Sequence, residues 1–473
     1  MLMPASHELR HTLGLAVDEV DRYYRDLEDL PVVPPNDAAT IREALAGFDL
    51  ERGHGVDALV PAIAGLFREH NLQIPHPRYF GLFNPAPSLG GLAADLLVAG
   101  FNPQAGAWHQ SPVAVEIERH LVRWFLARFG LDAEAGFGHF TSGGSEANAT
   151  GILLALTRRF PAFRRGGLRA LPAQPVFYVS REFHHSFEKI AHQCGLGRGA
   201  VRRVPVTADH VMDTAALARA VRADRAAGRA PFAVVATAGT TNAGLIEPLA
   251  TVADVADREG LHFHVDAAWG GGLVVSDRLR PRLAGIERAD TVTFDPHKML
   301  SVPMGAGLLL SRRREWLDET FGLTTDYVPS EDGENLDNYR LGMQFSRRLA
   351  GLKLFFSLAG DGRRTCAAAV ERQMALAEDL KSGLAARDWR VLNPAGLGVA
   401  CFEDAENRVC PDAVAAAVRH TGRAWISATR LGGRPVLRAC VTSHLARRRH
   451  VEELLELVDG ARALLLEERR RSA

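Results

Sequence analysis

Lysine is scarce in this chain, and one lysine sits where covalent chemistry would need it. The chain has 56 Lys+Arg residues, yet lysine occurs only at positions 189, 298, 353 and 381. Lys298 closes the run Thr291-Val-Thr-Phe-Asp-Pro-His-Lys298, a β-rich stretch that stops at a proline. Arginine cannot replace an amine that must form a Schiff base, because guanidinium stays protonated and is not a nucleophile. Taken alone, Lys298 reads first as a surface lysine in a turn. Its neighbours change that reading.

Phe140-Thr-Ser-Gly-Gly-Ser-Glu-Ala-Asn-Ala149 places two glycines and several hydroxyls before a helical stretch, Thr150 to Arg159. Small residues let backbone N–H groups close on an anion at a helix start, where the dipole helps. A plain N-cap with a tight turn is the alternative, and no Gly-Lys-Ser/Thr follows to make a Walker pattern. His262-Phe-His-Val-Asp-Ala-Ala-Trp-Gly-Gly-Gly272 ends an apolar strand on Asp266. A buried carboxylate needs a partner: a protonated heterocyclic nitrogen would serve, or Asp266 caps the next helix. Ala267 and Ala268 leave room for a flat ring. Asp295 and His297 flank Lys298 as hydrogen-bond formers. Arg181-Glu-Phe-His-His-Ser-Phe-Glu-Lys189 sets two histidines, His184 and His185, between a strand and a helix. Ala236-Thr-Ala-Gly-Thr-Thr-Asn-Ala-Gly244 adds hydroxyls and glycines after another strand. Together these supply an anion cradle, a carboxylate, an imidazole and an amine. The ligand they describe is a flat, phosphorylated, aldehyde-bearing pyridine, and pyridoxal 5'-phosphate fits every slot.

The elements that must position these groups alternate. Short β-rich runs at 175–180, 201–206, 232–238, 262–265, 291–294 and 305–310 are separated mostly by helical patterns. That rhythm predicts an α/β fold with a mostly parallel sheet, helices on both faces and ligands beyond the strands' carboxyl ends. Residues 7–30 and 38–46 carry helical spacing, and a long amphipathic helix is expected over 112–129. After about Ser346 a helical stretch leads to a smaller α+β unit, with strands near 389–392, 399–402, 425–429 and 436–442. We therefore expect a helical segment over 1–75 without a core of its own, a large domain over 76–355, and a small domain over 356–473.

Composition narrows the classes. The chain has 473 residues, 47% hydrophobic and 24% charged, an ordinary globular balance. The formal net charge is +0, which argues against a nucleic-acid binder. Five cysteines without a CxxC pair fit reduced thiols, and no apolar run is long enough to span a bilayer. The expectation is a cytoplasmic protein with no metal site and no membrane partner.

Over nearly its whole length, from His76-Pro-Arg-Tyr-Phe80 to Val436-Leu-Arg438, the chain resembles the group II pyridoxal-phosphate-dependent amino acid decarboxylases. These are the aromatic-amino-acid, glutamate and diaminobutyrate decarboxylase relatives. The segments Ser-Gly-Gly-Ser-Glu-Ala-Asn, His-Val-Asp-Ala-Ala and Asp-Pro-His-Lys carry the likeness. The resemblance implies a fold-type-I, aspartate-aminotransferase-like architecture and a homodimer with its active site at the subunit interface. It makes Lys298 the Schiff-base residue and Asp266 the partner of the pyridine nitrogen. It sets Ala268 against one ring face, His184 on the other, and Thr241 near the ring hydroxyl. Gly143, Gly144, Ser145, Asp295 and His297 would hold the phosphate, although Asn is common where this chain has Asp295. Arg438 would lie near the substrate carboxylate. Tyr327 matches the tyrosine of a mobile loop that returns a proton to the substrate carbon. Gln104 and Trp108, from a neighbouring subunit, and Asn84 would line the substrate pocket. The implied reaction is decarboxylation of an L-amino acid to the amine and CO2, through an aldimine on Lys298 and a quinonoid. Oxidative deamination to an aldehyde and β-elimination are alternatives on the same scaffold, and a non-catalytic homologue is a third reading.

Overall fold

The structure is a computed structural model; it describes residues 6–323 and 337–472. Its centre is a seven-stranded sheet. The strands are β1 (Phe137–Thr141), β2 (Pro175–Ser180), β3 (Val201–Val204), β4 (Ala230–Thr237), β5 (His262–Asp266), β6 (Thr291–Phe294) and β7 (Gly307–Ser311). Their order is β1-β7-β6-β5-β4-β2-β3. The five strands from β6 to β3 run parallel, while β7 is antiparallel to both β6 and β1. Parallel strands covered on both faces carry continuous apolar runs, and every residue of β2 and β5 is buried.

Register sets the site. Asp266 pairs with Thr237 on one side and Thr293 on the other, so the carboxyl ends of β4, β5 and β6 lie level. Period-two alternation turns His262, His264 and Asp266 to one face of β5.

The helices that precede or flank the sheet include α1 (Ser6–Asp26), α2 (Ala38–Ala46), α3 (Val56–His70), α4 (Leu89–Phe101), α5 (Pro112–Phe129) and α6 (Gly144–Arg159). The helical spacing at the N-terminus and over 112–129 is borne out in α1, α2 and α5. The sequence reading does not include α3 or α4, where Pro61 and the Gly90-Gly91 pair blur the pattern. It also omits β1. Gly138 interrupts that short strand, and for a steric reason: a Cβ there would stand 2.3 Å from the Leu309 carbonyl of β7. A second difference matters more. The helix expected from Thr150 begins at Gly144, so Ser145 to Asn148 are helical rather than loop.

The C-terminal part forms a separate antiparallel sheet of β8 (Trp389–Val391), β9 (Val399–Asp404), β10 (Ser427–Leu431) and β11 (Arg434–Cys440), in the order β10-β11-β9-β8. The helices Arg363–Ala385, Pro411–His420 and Arg448–Ser472 cover it around a core that includes Trp389, Phe402 and Leu454. Phe80 also packs in this core, and its N–H and C=O bond Trp425 and Cys440. Among the described residues, no helix is long and apolar enough to cross a membrane.

Candidate active site

The level ends of β4, β5 and β6 open into a cavity of about 340 Å³, walled on one side by the first turn of α6. Lys298 reaches into it from the turn after β6, one-quarter exposed, with Nζ 2.9 Å from Asp295 Oδ2. Asp295 is buried, and its Oδ1 has no hydrogen-bond donor. The carboxylate beside the anion cradle is thus matched by the lysine on one oxygen and bare on the other.

The cradle itself is Ser142, Gly143, Gly144 and Ser145. Gly144 has to be glycine: a Cβ would meet Asp295 Oδ2 at 2.7 Å and the Ala268 methyl at 3.1 Å. Glu146 reaches back to accept from the Ser142 N–H and hydroxyl at 2.8 and 2.7 Å, which fixes the entry into α6. His297 borders the same end. Its Nδ1–H donates to the Ala306 carbonyl at 2.7 Å, leaving Nε2 toward Asp295. Burial, the largest cause, holds this imidazole below its ordinary pKa.

Asp266 forms the floor. Oδ2 accepts from Asn148 Nδ2 at 2.9 Å and Oδ1 from the Ala268 N–H at 3.1 Å. His184 stands at the mouth, open to solvent on one side. Its Nδ1 accepts from the Ser186 hydroxyl at 2.8 Å and the Ser186 N–H at 3.2 Å, so Nε2 carries the proton. Desolvation of its inner side lowers its pKa, and Lys298 adds to this while Asp266 opposes it. Thr241 and Ala268 line the cavity too.

The structure brings together Lys298, Asp266, His184, Thr241, Ala268, Gly143, Gly144, Ser145, Asp295 and His297 in one lining. Four expected residues lie elsewhere. Arg438 is buried, and its guanidinium donates to the carbonyls of Asn242, Gly81 and Thr241 at 3.1, 2.6 and 3.0 Å. Those bonds hold the loop after β4 to β11, and the guanidinium lies over Phe83 of the lining. Gln104 Oε1 accepts from the Gly106 and Arg347 N–H groups. Trp108 Nε1 donates to Glu116 at 2.9 Å. Asn84 lies beside the lining, with Nδ2 3.1 Å from the Met304 sulfur. Tyr327 lies outside the described residues.

Sequence reasoning missed Asn148, Thr237, Phe83 and Met304, all in the lining. Asn148 follows Gly144 by four residues, one helical turn, and that spacing is the signal that could have found it. Phe83 stacks on Trp269 with centroids 4.2 Å apart and lies under the Arg438 guanidinium. No sequence pattern announces that layer.

The pyridoxal-dependent decarboxylase conserved domain matches residues 69–404. The chain belongs to the pyridoxal-dependent decarboxylase family. It is similar to an aromatic-L-amino-acid decarboxylase of Bacillus atrophaeus, 29% identical over 98% of this chain and 96% of that protein. It is similar to human cysteine sulfinic acid decarboxylase, 33% identical over 70% of this chain and 68% of that one. Among solved structures, Oryza sativa TDC with PLP and tryptamine superposes with a TM-score of 0.91, at 26% identity over 98% and 99% of the two chains. The family's cofactor is pyridoxal phosphate, the fold is fold type I, and the family enzyme is a carboxy-lyase acting on amino acids. The cavity suits that cofactor on its own terms: a cradle that admits no side chain at Gly144, the buried Asp266 carboxylate at the strand ends, and an amine beside the space above Ala268.

Proposed function

We propose that this decarboxylase converts an L-amino acid to its amine and CO2, with Lys298 as the covalent anchor of the cofactor. The convergence of Lys298, Asp266, His184 and the α6 N-terminus on one cavity supports the reading best. When bound, pyridoxal phosphate supplies an electron sink for the pair released by the departing carboxylate. Asp266 would hold a proton on the pyridine nitrogen by accepting from it. Gly143, Gly144 and Ser145 would bind the phosphate. Ala268 and His184 would confine the ring, and Thr241 would hold its hydroxyl. His297 keeps its unprotonated Nε2 toward Asp295, and the Asp295–Lys298 pair holds the amine in the cavity. Phe83, Trp269 and Met304 exclude water on the open side. Tyr327, by its place in the sequence, returns a proton to Cα.

The substrate side chain meets residues outside this lining. A homodimer would supply Gln104 and Trp108 across the interface. The exposed Leu9, Leu13, Val17 and Val20 on α1, and Leu89 and Phe101 on α4, support an association that covers them. Five cysteines without disulfides agree with a cytoplasmic location.

Incubation with a panel of amino acids, with mass detection of amine, aldehyde and keto products in air and without oxygen, tests the reading. Amine with equal CO2 in both atmospheres is expected. Aldehyde formed only in air, or keto acid without CO2, refutes plain decarboxylation.

A further inference from the structure

Strand β5 is buried on both faces, yet one face carries His262, His264 and Asp266 in alternation. Burying two imidazoles is costly unless their nitrogens are satisfied. The sheet offers an internal contrast: buried His139 on β1 has no partner on either nitrogen, whereas all four nitrogens of His262 and His264 are bonded.

The bonds form one line. Asn148 Nδ2 donates to Asp266 Oδ2 at 2.9 Å. The Asn148 amide must present nitrogen there, since its oxygen would face a carboxylate. Its Oδ1 then lies 2.9 Å from His264 Nε2, which must carry a proton. Burial pushes His264 down to about 3, with His262 adding to that and Asp266 opposing it, so the ring is neutral and Nδ1 accepts. The donor to Nδ1 is the Thr291 hydroxyl, at 2.8 Å. Thr291 Oγ1 in turn accepts from His262 Nε2 at 2.8 Å. Burial, reinforced by Arg158, keeps His262 neutral as well. Its Nδ1 accepts from Arg158 Nη1 at 3.1 Å. Arg158 is partly exposed, stacks on Trp316 at 3.3 Å, and has Asp290 at 3.7 Å. Gly151 makes the approach possible, because a Cβ there would stand 2.7 Å from the His264 ring.

Every donor therefore points the same way, from the Arg158 guanidinium at the α6 surface to the Asp266 carboxylate in the cavity. Aligned hydrogen bonds polarise one another. The geometry points to a one-way relay, Arg158–His262–Thr291–His264–Asn148, that positions and polarises Asp266 toward the cofactor's ring nitrogen. The four residues from His262 to Asn148 are positioning residues. The inference rests on the reading of Asp266 as that nitrogen's partner.

The relay is tested in two ways that separate it from that reading. In wild-type enzyme labelled with 15N-histidine, with cofactor removed and restored, His262 and His264 should both show protonated Nε2 and bare Nδ1, unchanged from about pH 5.5 to 8.5. A protonated Nδ1 on either ring overturns the relay, and this readout holds whatever Asp266 faces. Thr291→Val removes the hydroxyl at nearly constant volume, so pyridoxal phosphate should bind about tenfold more weakly, with both histidine signals shifted. Thr291→Ser should recover binding to within about twofold of wild type. Wild-type affinity in Thr291→Val, or a loss that Thr291→Ser does not recover, overturns the relay. If either variant fails to fold, the wild-type histidine spectrum decides. Wild-type absorption of bound cofactor in Lys298→Ala would instead refute the site assignment and leave the histidine result standing.

Discussion

The inner wall of the cavity and its outer rim are built by different means. The inner wall comes from three parallel strand ends and one helix start. There Asp266, Asp295, Lys298 and Asn148 aim at a common space. The rim residues that the family likeness nominates are already committed within this chain. Arg438 serves three carbonyls, Gln104 two N–H groups, and Trp108 a glutamate. The contrast teaches that the chemistry-bearing wall follows from the sheet, while the residues nominated for the substrate lie outside that wall.

Four substitutions can break or sharpen that contrast. The largest effect is expected at the inner wall. Lys298→Ala should lower product formation by on the order of 10³-fold or more and leave thermal unfolding nearly unchanged. Surviving turnover would remove the inner wall from the chemistry.

Arg438→Ala should behave in the opposite way. Three carbonyls, that of Gly81 buried, lose their donor, so stability should fall by about 3 kcal/mol in denaturant unfolding. A raised KM at unchanged stability would instead place Arg438 at the substrate.

Glu247 supports the inner wall from behind, because its Oε2 accepts from the Thr237 N–H at 2.7 Å at the end of β4. Burial raises its carboxyl to about 7, against the opposing Ser180 hydroxyl and Thr237 N–H, with Glu182 adding to the rise. The folded state thus keeps a proton that the unfolded chain releases near 4.5. This contribution is undiminished below about pH 4.5 and is lost as pH climbs through about 7, by about 3 kcal/mol. Unfolding midpoints measured across that window should fall with pH in wild type and flatten in Glu247→Gln.

Gly144→Val has the smallest expected effect of the four. Overpacking against Asp295 and Ala268 should cost about 2 kcal/mol, read as weaker cofactor binding in an absorbance titration. Unchanged affinity would mean that the cradle lies elsewhere.

Much of this was legible in the residues, for physical reasons. Parallel strands buried on both faces read as unbroken apolar runs, so β2 and β6 match their expected limits. Polar clusters after such strands must lie at one sheet edge, which is why Lys298, Asp266 and His184 could be grouped before any fold was known. Contacts across the fold leave no such trace. β1 is short, contains Gly138, and is held by β7 more than 160 residues away in sequence. The bonds of Arg438 to Gly81 and Asn242 depend on how β11 meets two distant loops. The partnership of Asn148 with Asp266 depends on α6 starting six residues earlier than its apolar pattern suggests.

The most direct test returns to the four lysines. Holoenzyme reduced with borohydride, digested and mapped by mass spectrometry should carry one pyridoxyl group, on the peptide containing Lys298. A pyridoxyl group on Lys189, Lys353 or Lys381, or on no lysine at all, would contradict the account.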